Sequence, residues 1–399
     1  MTCSPISFNA NVDCRSTGEN FAPTFLRLNP KGTVPTLVVP LQKTLGPDTE
    51  SRYRPITDTK AIVEFLDKGR SVMSRTNTTS DAPAPALAPA TISFSSTSAT
   101  IIDDILHSEG GSPNSLLYMN ARDDAQLKAL AVFLFPFLKS RHEALSGFIA
   151  EASNEQSHLS QKTKAFYVEK QTSTQTLLDV FSKADVATAA LDATAKAARE
   201  DYFATAKTAW EADLKESLTK LNGEIIGPYC LVPAPAGDQI SIADLHLAGW
   251  LARIVSLSGG SISEDGDTVT AKVEAHIGGG FQFPKEAPAT GGAVGARTTP
   301  QSKLAAFWDA IKDRPSFQRV YAEREVAQTL LRQCMRLTAL WMFVSSICGL
   351  RKSRPSADGL VFGNSARPFG PDLAAATESD QCGGSFNVTC IQSFGTPEC

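Results

Sequence analysis

Asn29-Pro30-Lys31-Gly32-Thr33-Val34-Pro35-Thr36-Leu37 is followed downstream by Ile56-Thr57-Asp58-Thr59-Lys60-Ala61-Ile62. An X-Pro bond gives up only about 0.5–1 kcal/mol on going cis, so Val34-Pro35 is a place where the chain can turn sharply. Such a turn shows the Val34 backbone N–H and C=O at an edge, where an extended peptide can pair. Taken alone, these residues also read as an ordinary Val-Pro ahead of a strand. The second stretch starts a helix. Thr57-Asp58 stands just before Ile62, Val63, Phe65 and Leu66, which have helical spacing. A helix start offers unpaired N–H groups and the positive end of a dipole, and so holds a carboxylate. The Thr59 hydroxyl can add a donor, and Asp58 can receive an ammonium.

Outward from these stretches, residues 7–13 suit a short strand, 21–28 a brief helix, 36–40 an apolar strand and 52–56 a returning edge strand. Residues 69–98 are dominated by Ser, Thr, Ala and Pro and predict a mobile linker. Residues 99–336 read as mostly helical. Pro136 is expected to kink or split the apolar run 121–140. Residues 160–220 lack Gly and Pro and predict a helical hairpin or one long helix. A Gly-rich insertion is expected at 259–300. The run 337–350 is apolar but shorter than the ~20 residues needed to span a bilayer. The tail beyond it is Gly-, Ser- and Pro-rich and predicts disorder.

The motif order resembles a known family. Phe25-Leu26-x-Leu28-Asn29-Pro30-x-Gly32-x-Val34-Pro35-x-Leu37, followed by Thr57-Asp58-Thr59-x-Ala61-Ile62, is similar to the amino-terminal domain of glutathione S-transferases. Gly18-Glu19-Asn20-Phe21, with Pro23 and Phe25, resembles the preceding segment of fungal and bacterial members. The resemblance implies that Val34, with Pro35, binds the cysteinyl backbone of glutathione. It implies that Asp58 and Thr59 bind the γ-glutamyl group, with Lys31 near the glycyl end. Family members usually carry Glu or Gln and Ser where this chain has Asp58 and Thr59.

Ser241-Ile242-Ala243-Asp244-Leu245-His246 resembles the start of the family's buried carboxy-terminal helix. Its physics is reciprocal capping, in which the Ser241 hydroxyl and the Asp244 carboxylate each satisfy a backbone N–H. Asp313-Arg314-Pro315-Ser316-Phe317 resembles a late turn of the same domain. The implied fold is α/β plus all-α: a partial thioredoxin-like domain at 1–68, a linker at 69–98, and a helical domain at 99–336. That helical domain is like the family's carboxy-terminal domain, with a long helical insertion and a flexible 259–300; residues 337–399 form an apolar segment and tail.

Family members begin with a strand and a helix whose first turn carries a Tyr, Ser or Cys that stabilises the glutathione thiolate. Residues 7–13 already suit the second strand, so the sequence reads as amino-terminally truncated. Cys3 and Ser4 are the upstream candidates, and no catalytic residue is assigned. The expected function is conjugation or reduction of a small electrophile by glutathione if the protein is active. The alternative is a catalytically impaired binding or structural module, or a truncated gene model.

Composition narrows the remaining choices. The chain has 399 residues, 20% of them charged, and a net charge of −4. That balance offers no footprint for nucleic acid. Eight cysteines are scattered without a C-x-x-C pair, and Cys382, Cys390 and Cys399 sit in the tail. Without a signal peptide they read as free thiols in a reducing, cytoplasmic setting. The sequons at Asn77 and Asn387 then have no role. Five histidines, at 107, 142, 158, 246 and 276, stand apart from one another in sequence, so no metal is expected. Glutathione is expected as a substrate, a membrane partner is not expected, and a homodimer is a family expectation.

Overall fold

The structure, a computed structural model, describes residues 18–40, 53–69, 87–89, 91–154, 159–231, 239–286 and 300–321. The expected strand at 7–13, Cys3, Ser4, both sequons and the segment 337–399 lie outside these residues.

A small α/β unit comes first. A short helix α1 (Pro23–Leu28) has proline in its first turn, where the missing N–H costs nothing. Strand β1 (Leu37–Pro40) pairs antiparallel with β2 (Tyr53–Ile56), starting from Leu37 opposite Ile56. Helix α2 (Thr59–Gly69) follows at once. Ile62 turns inward and is 2% exposed, and Val63 packs on the main core. Fully burying an aliphatic side chain of this size contributes roughly 1.5–3 kcal/mol.

The helical part is a bundle. Helix α3 (Ile92–Ala99) runs into a π-helical stretch, Thr100–Leu106, and is followed by α4 (Pro113–Tyr118). Two long antiparallel helices come next, α5 (Asp124–Ala152) and α6 (Gln161–Phe181). Helix α7 (Ala193–Thr208) continues through π turns at Ala209–Leu214 into α8 (Lys215–Glu224). Then come α9 (Ile242–Leu257), α10 (Gly266–Ile277), a minimal antiparallel pair β3 (Lys285–Glu286) and β4 (Gln301–Ser302), and α11 (Lys303–Lys312).

The core is centred on α9, which buries Leu247, Leu251, Ile254 and Val255. Around it stand Ile101, Ile102 and Ile105, then Trp210, Leu214 and Leu218, then Trp308 of α11. Short polar side chains start the helices. Asp123, Ser160, Asp192, Asp265 and Ser302 each accept a backbone N–H from the first turn that follows.

Two expectations differ from the structure, and two pairs of alternatives are narrowed by it. The linker predicted at 69–98 gives way to helix at Ile92, because the Thr91 hydroxyl caps the Phe94 N–H and Ile101, Ile102, Ile105 and Leu106 bury just beyond. The insertion predicted as flexible at 259–300 contains α10. Val269, Val273 and Ile277 lie four residues apart and pack on the core, a short helical pattern masked by the surrounding glycines. For residues 160–220 the structure has helices joined by a turn at 182–192, the hairpin alternative rather than one long helix. Pro136 does not end α5, which runs on to Ala152.

Candidate functional site

The loop before β1 is built by Asn29. This side chain is fully buried at the end of α1, and its backbone N–H closes that helix on Phe25. Its amide Nδ2 donates to the Thr33 carbonyl at 2.7 Å, the Thr33 Oγ1 at 2.9 Å and the Thr36 Oγ1 at 3.1 Å. Its Oδ1 accepts the Lys31 N–H at 3.1 Å. One buried amide thus ties together both flanks of Val34-Pro35, and that peptide bond is cis. Gly32 makes the turn possible with a φ of 61°, a left-handed value that glycine adopts freely. Its carbonyl accepts the Asn20 Nδ2 at 2.7 Å. Lys31 is exposed, whereas Val34 and Pro35 are half-buried.

Asp58 caps α2. Its Oδ1 accepts the Ala61 N–H at 2.9 Å, and its carbonyl accepts the Ile62 N–H. The N–H groups of Thr59 and Lys60 belong to the first turn, which has no intrahelical acceptors of its own. Asp58 and Thr59 are exposed. The β1–β2 register brings the two stretches together. Pairing starts at Leu37 and Ile56, so Pro35-Thr36 enters β1 at the same end at which Thr57-Asp58 leaves β2. The hairpin thereby sets a cis-proline loop beside a helix N-terminus.

This end of the hairpin faces the helical bundle. Lys60 forms an ion pair with Asp103 of the π-helical stretch. Asp67 accepts the Leu87 and Ala88 N–H groups at 2.9 and 3.1 Å, and Leu87 in turn accepts the Ile242 N–H of α9 at 3.0 Å. A cleft of 240 Å³ lies along α2, lined in part by Lys60, Glu64, Ser95, Ser98 and Ile242.

Two histidines that are far apart in sequence meet near this seam. The rings of His107 and His246 lie edge to face with centroids 5.1 Å apart. His246 is 9% exposed, and its Nε2 has no hydrogen-bond partner among the described residues. Burial, followed by the neighbouring His107, pushes its pKa down to about 4. Lys60 acts in the same direction, whereas Asp58 and Asp103 oppose it. The fold thus brings two histidines that stand apart in sequence into contact, His107 at the end of the π-helical stretch and His246 of α9. Nothing in their spacing announces this, because the contact is made across helices. Among the described residues, no group of three or more His, Cys, Asp or Glu could hold a metal.

Ser241 and Asp244 are buried at the start of α9. Asp244 is fully buried and accepts the Ser241 N–H, the Ser241 hydroxyl and the Cys230 N–H, each at 2.7 Å. The Ser241 Oγ accepts the Asp244 N–H at 3.4 Å, which closes a capping box. Cys230 is buried and free, and its thiol pKa is raised well above the ordinary value by burial first and by Asp244 second. It is a packed thiol rather than a nucleophile.

Asn20 and Asn29 are positioning residues that sequence reasoning passed over. The usable signal was Asn-Pro three residues ahead of a left-handed Gly, which marks a tight, side-chain-bonded turn. Among the described residues, no helix is long and apolar enough to cross a membrane.

Residues 6–68 match the family model of the glutathione S-transferase N-terminal domain. Searches of curated proteins and of solved structures return no match.

Proposed function

Starting from a chain that is glutathione S-transferase-like in its amino-terminal domain, we propose that it binds glutathione at Lys31, Val34, Pro35, Asp58 and Thr59 and conjugates or reduces small electrophiles with it. The observation that carries this reading is the placing of cis Val34-Pro35 beside the start of α2 at one end of the hairpin. An extended peptide pairs with Val34. Its carboxylate meets the N–H groups of Thr59 and Lys60 and the Thr59 hydroxyl, while Asp58 takes the ammonium. A γ-glutamyl-cysteinyl backbone has these groups in this order. In conjugation the glutathione thiolate gives its electron pair to the electrophilic carbon, and the carbon either releases its leaving group as an anion or, where the attack is an addition, passes the π electrons to the neighbouring atom, which then takes a proton from water. The residue that stabilises that thiolate is not assigned. The same reading carries a cytoplasmic location and the family's homodimer as expectations.

Retention on immobilised glutathione tests the binding. The intact chain is expected to be retained, and Asp58→Ala or Thr59→Ala to elute early. A chain that flows straight through would sink the reading. Retention without turnover of a general electrophile would assign a binding module instead of a transferase.

A further inference from the structure

The α5–α6 hairpin does not merely extend the bundle; the end at which α5 finishes and α6 begins closes on the loop that leads to Val34-Pro35. The Tyr167 hydroxyl donates to the Phe21 carbonyl at 2.8 Å in a buried contact. Tyr167 stacks on Phe148 of α5 with centroids 5.5 Å apart, so both helices share in holding that hydroxyl. The Arg141 guanidinium of α5 sits 5.0 Å over the Phe21 ring. A Cβ built on Gly18 would lie 3.0 Å from Ala144 of α5. A Cβ on Gly32 would lie 3.1 Å from Phe21 and 3.2 Å from Phe166 of α6. Phe21, Leu26, Leu145, Ala152 and Tyr167 make a hydrophobic cluster of their own, separate from the core around α9.

The contacts continue inward without a gap. Asn20 precedes Phe21 and donates to the Gly32 carbonyl. The Gly32 N–H donates to the Asn29 carbonyl, and Asn29 holds Thr33 and Thr36 on either side of Val34-Pro35. We propose that the α5–α6 hairpin is an internal clamp on this loop and that Tyr167 and Phe166 are positioning residues for glutathione. The inference rests on the reading of Val34 and Pro35 as glutathione contacts. Without the clamp the loop keeps its sequence but loses its buried side, and a peptide pairing with Val34 must first order it.

The test compares two tyrosines in the full chain. Tyr202 makes the same kind of bond, to the Tyr118 carbonyl at 2.7 Å, but in a cluster away from the loop. Tyr167→Phe is expected to speed amide exchange across 29–36 and to weaken glutathione binding about tenfold, the scale of one buried hydrogen bond. Phe166→Leu is expected to do the same to a smaller degree, and it keeps the test alive if Tyr167→Phe fails to fold. Tyr202→Phe should leave both readouts unchanged while lowering thermal stability. Unchanged exchange at 29–36 in the α6 variants overturns the clamp, as does an equal effect from Tyr202→Phe. If the wild-type chain binds no glutathione, the functional reading fails, and the exchange comparison still decides the clamp.

Discussion

His107 and His246 are 139 residues apart in the chain, yet their rings meet edge to face at 5.1 Å, 70° between planes. The exposed ring stands in front of the buried one. The charges of Asp58 and Lys60 at the start of α2, and of Asp103, also act on His246.

Burial of His246, with His107 second, sets a pH dependence. The folded pKa of His246 is pushed down to about 4, below the usual 6.5. Unfolding below pH 6.5 therefore takes up a proton that the folded protein does not hold. The stabilisation is complete above pH 6.5 and is lost as pH falls toward 4, by on the order of 3 kcal/mol. Urea unfolding at pH 7 and pH 5 should show this loss, and His246→Gln should shrink the difference. An equal difference in the variant would show that other groups set it. His276, whose pKa is also pushed down to about 4, chiefly by burial and then by Arg122, adds to the loss in the same direction.

Asp58 has two roles that can be separated. It caps α2 through Ala61 and is read as the acceptor for an ammonium. Asn caps a helix about as well as Asp, whereas Ala gives up about 1 kcal/mol. Asp58→Asn should keep the melting temperature and lose glutathione retention. Asp58→Ala should lower both. If Asp58→Asn is retained like the wild type, the carboxylate has no part in binding.

The Ser241–Asp244 box should dominate local stability in α9. Ser241→Ala removes one cap and is expected to cost about 1 kcal/mol. Asp244→Ala leaves the Ser241 N–H and the Cys230 N–H unpaired in a fully buried place, at a cost of about 3 kcal/mol. Denaturant unfolding of both variants checks the ranking, and the reverse order would refute it.

Arg199 is buried, at 1% exposed, and ties the 182–192 turn to the bundle. Its Nη1 donates to Val186 at 2.5 Å, its Nη2 donates to Lys183 at 2.6 Å, and Asp124 lies 3.3 Å away. Asp124 also accepts the Thr188 hydroxyl at 2.5 Å and the Thr188 N–H at 2.9 Å, and these bonds, the hydroxyl first, hold its carboxyl below its usual range. Arg199→Ala strands the two backbone carbonyls, while the half-exposed Asp124 stays solvated, and should cost about 1–3 kcal/mol. Limited trypsin digestion should then cut at Lys183 at least tenfold faster. A cutting rate equal to that of the wild type would show that the turn holds without Arg199.

The amino-terminal unit was legible because its signals are local. Val34-Pro35, the Thr57-Asp58 cap and the strand pair between them are each written in a few consecutive residues. The start of α9 was legible for the same reason, since Ser241 and Asp244 are one turn apart. The helices hidden in 69–98 and 259–300 were not, because Ser, Thr and Gly say nothing of helix until Ile101 or Val269 finds a core to bury against.

The sequence by itself determined which residues can form a cis-proline loop, a capped helix start and a boxed α9, because these depend on bonds between near neighbours. Tertiary structure alone decided what stands around them. It put His107 against His246, Lys60 against Asp103 and Tyr167 against Phe21. Such pairings come from how helices pack their apolar faces, and that packing depends on the whole core rather than on any short run of residues.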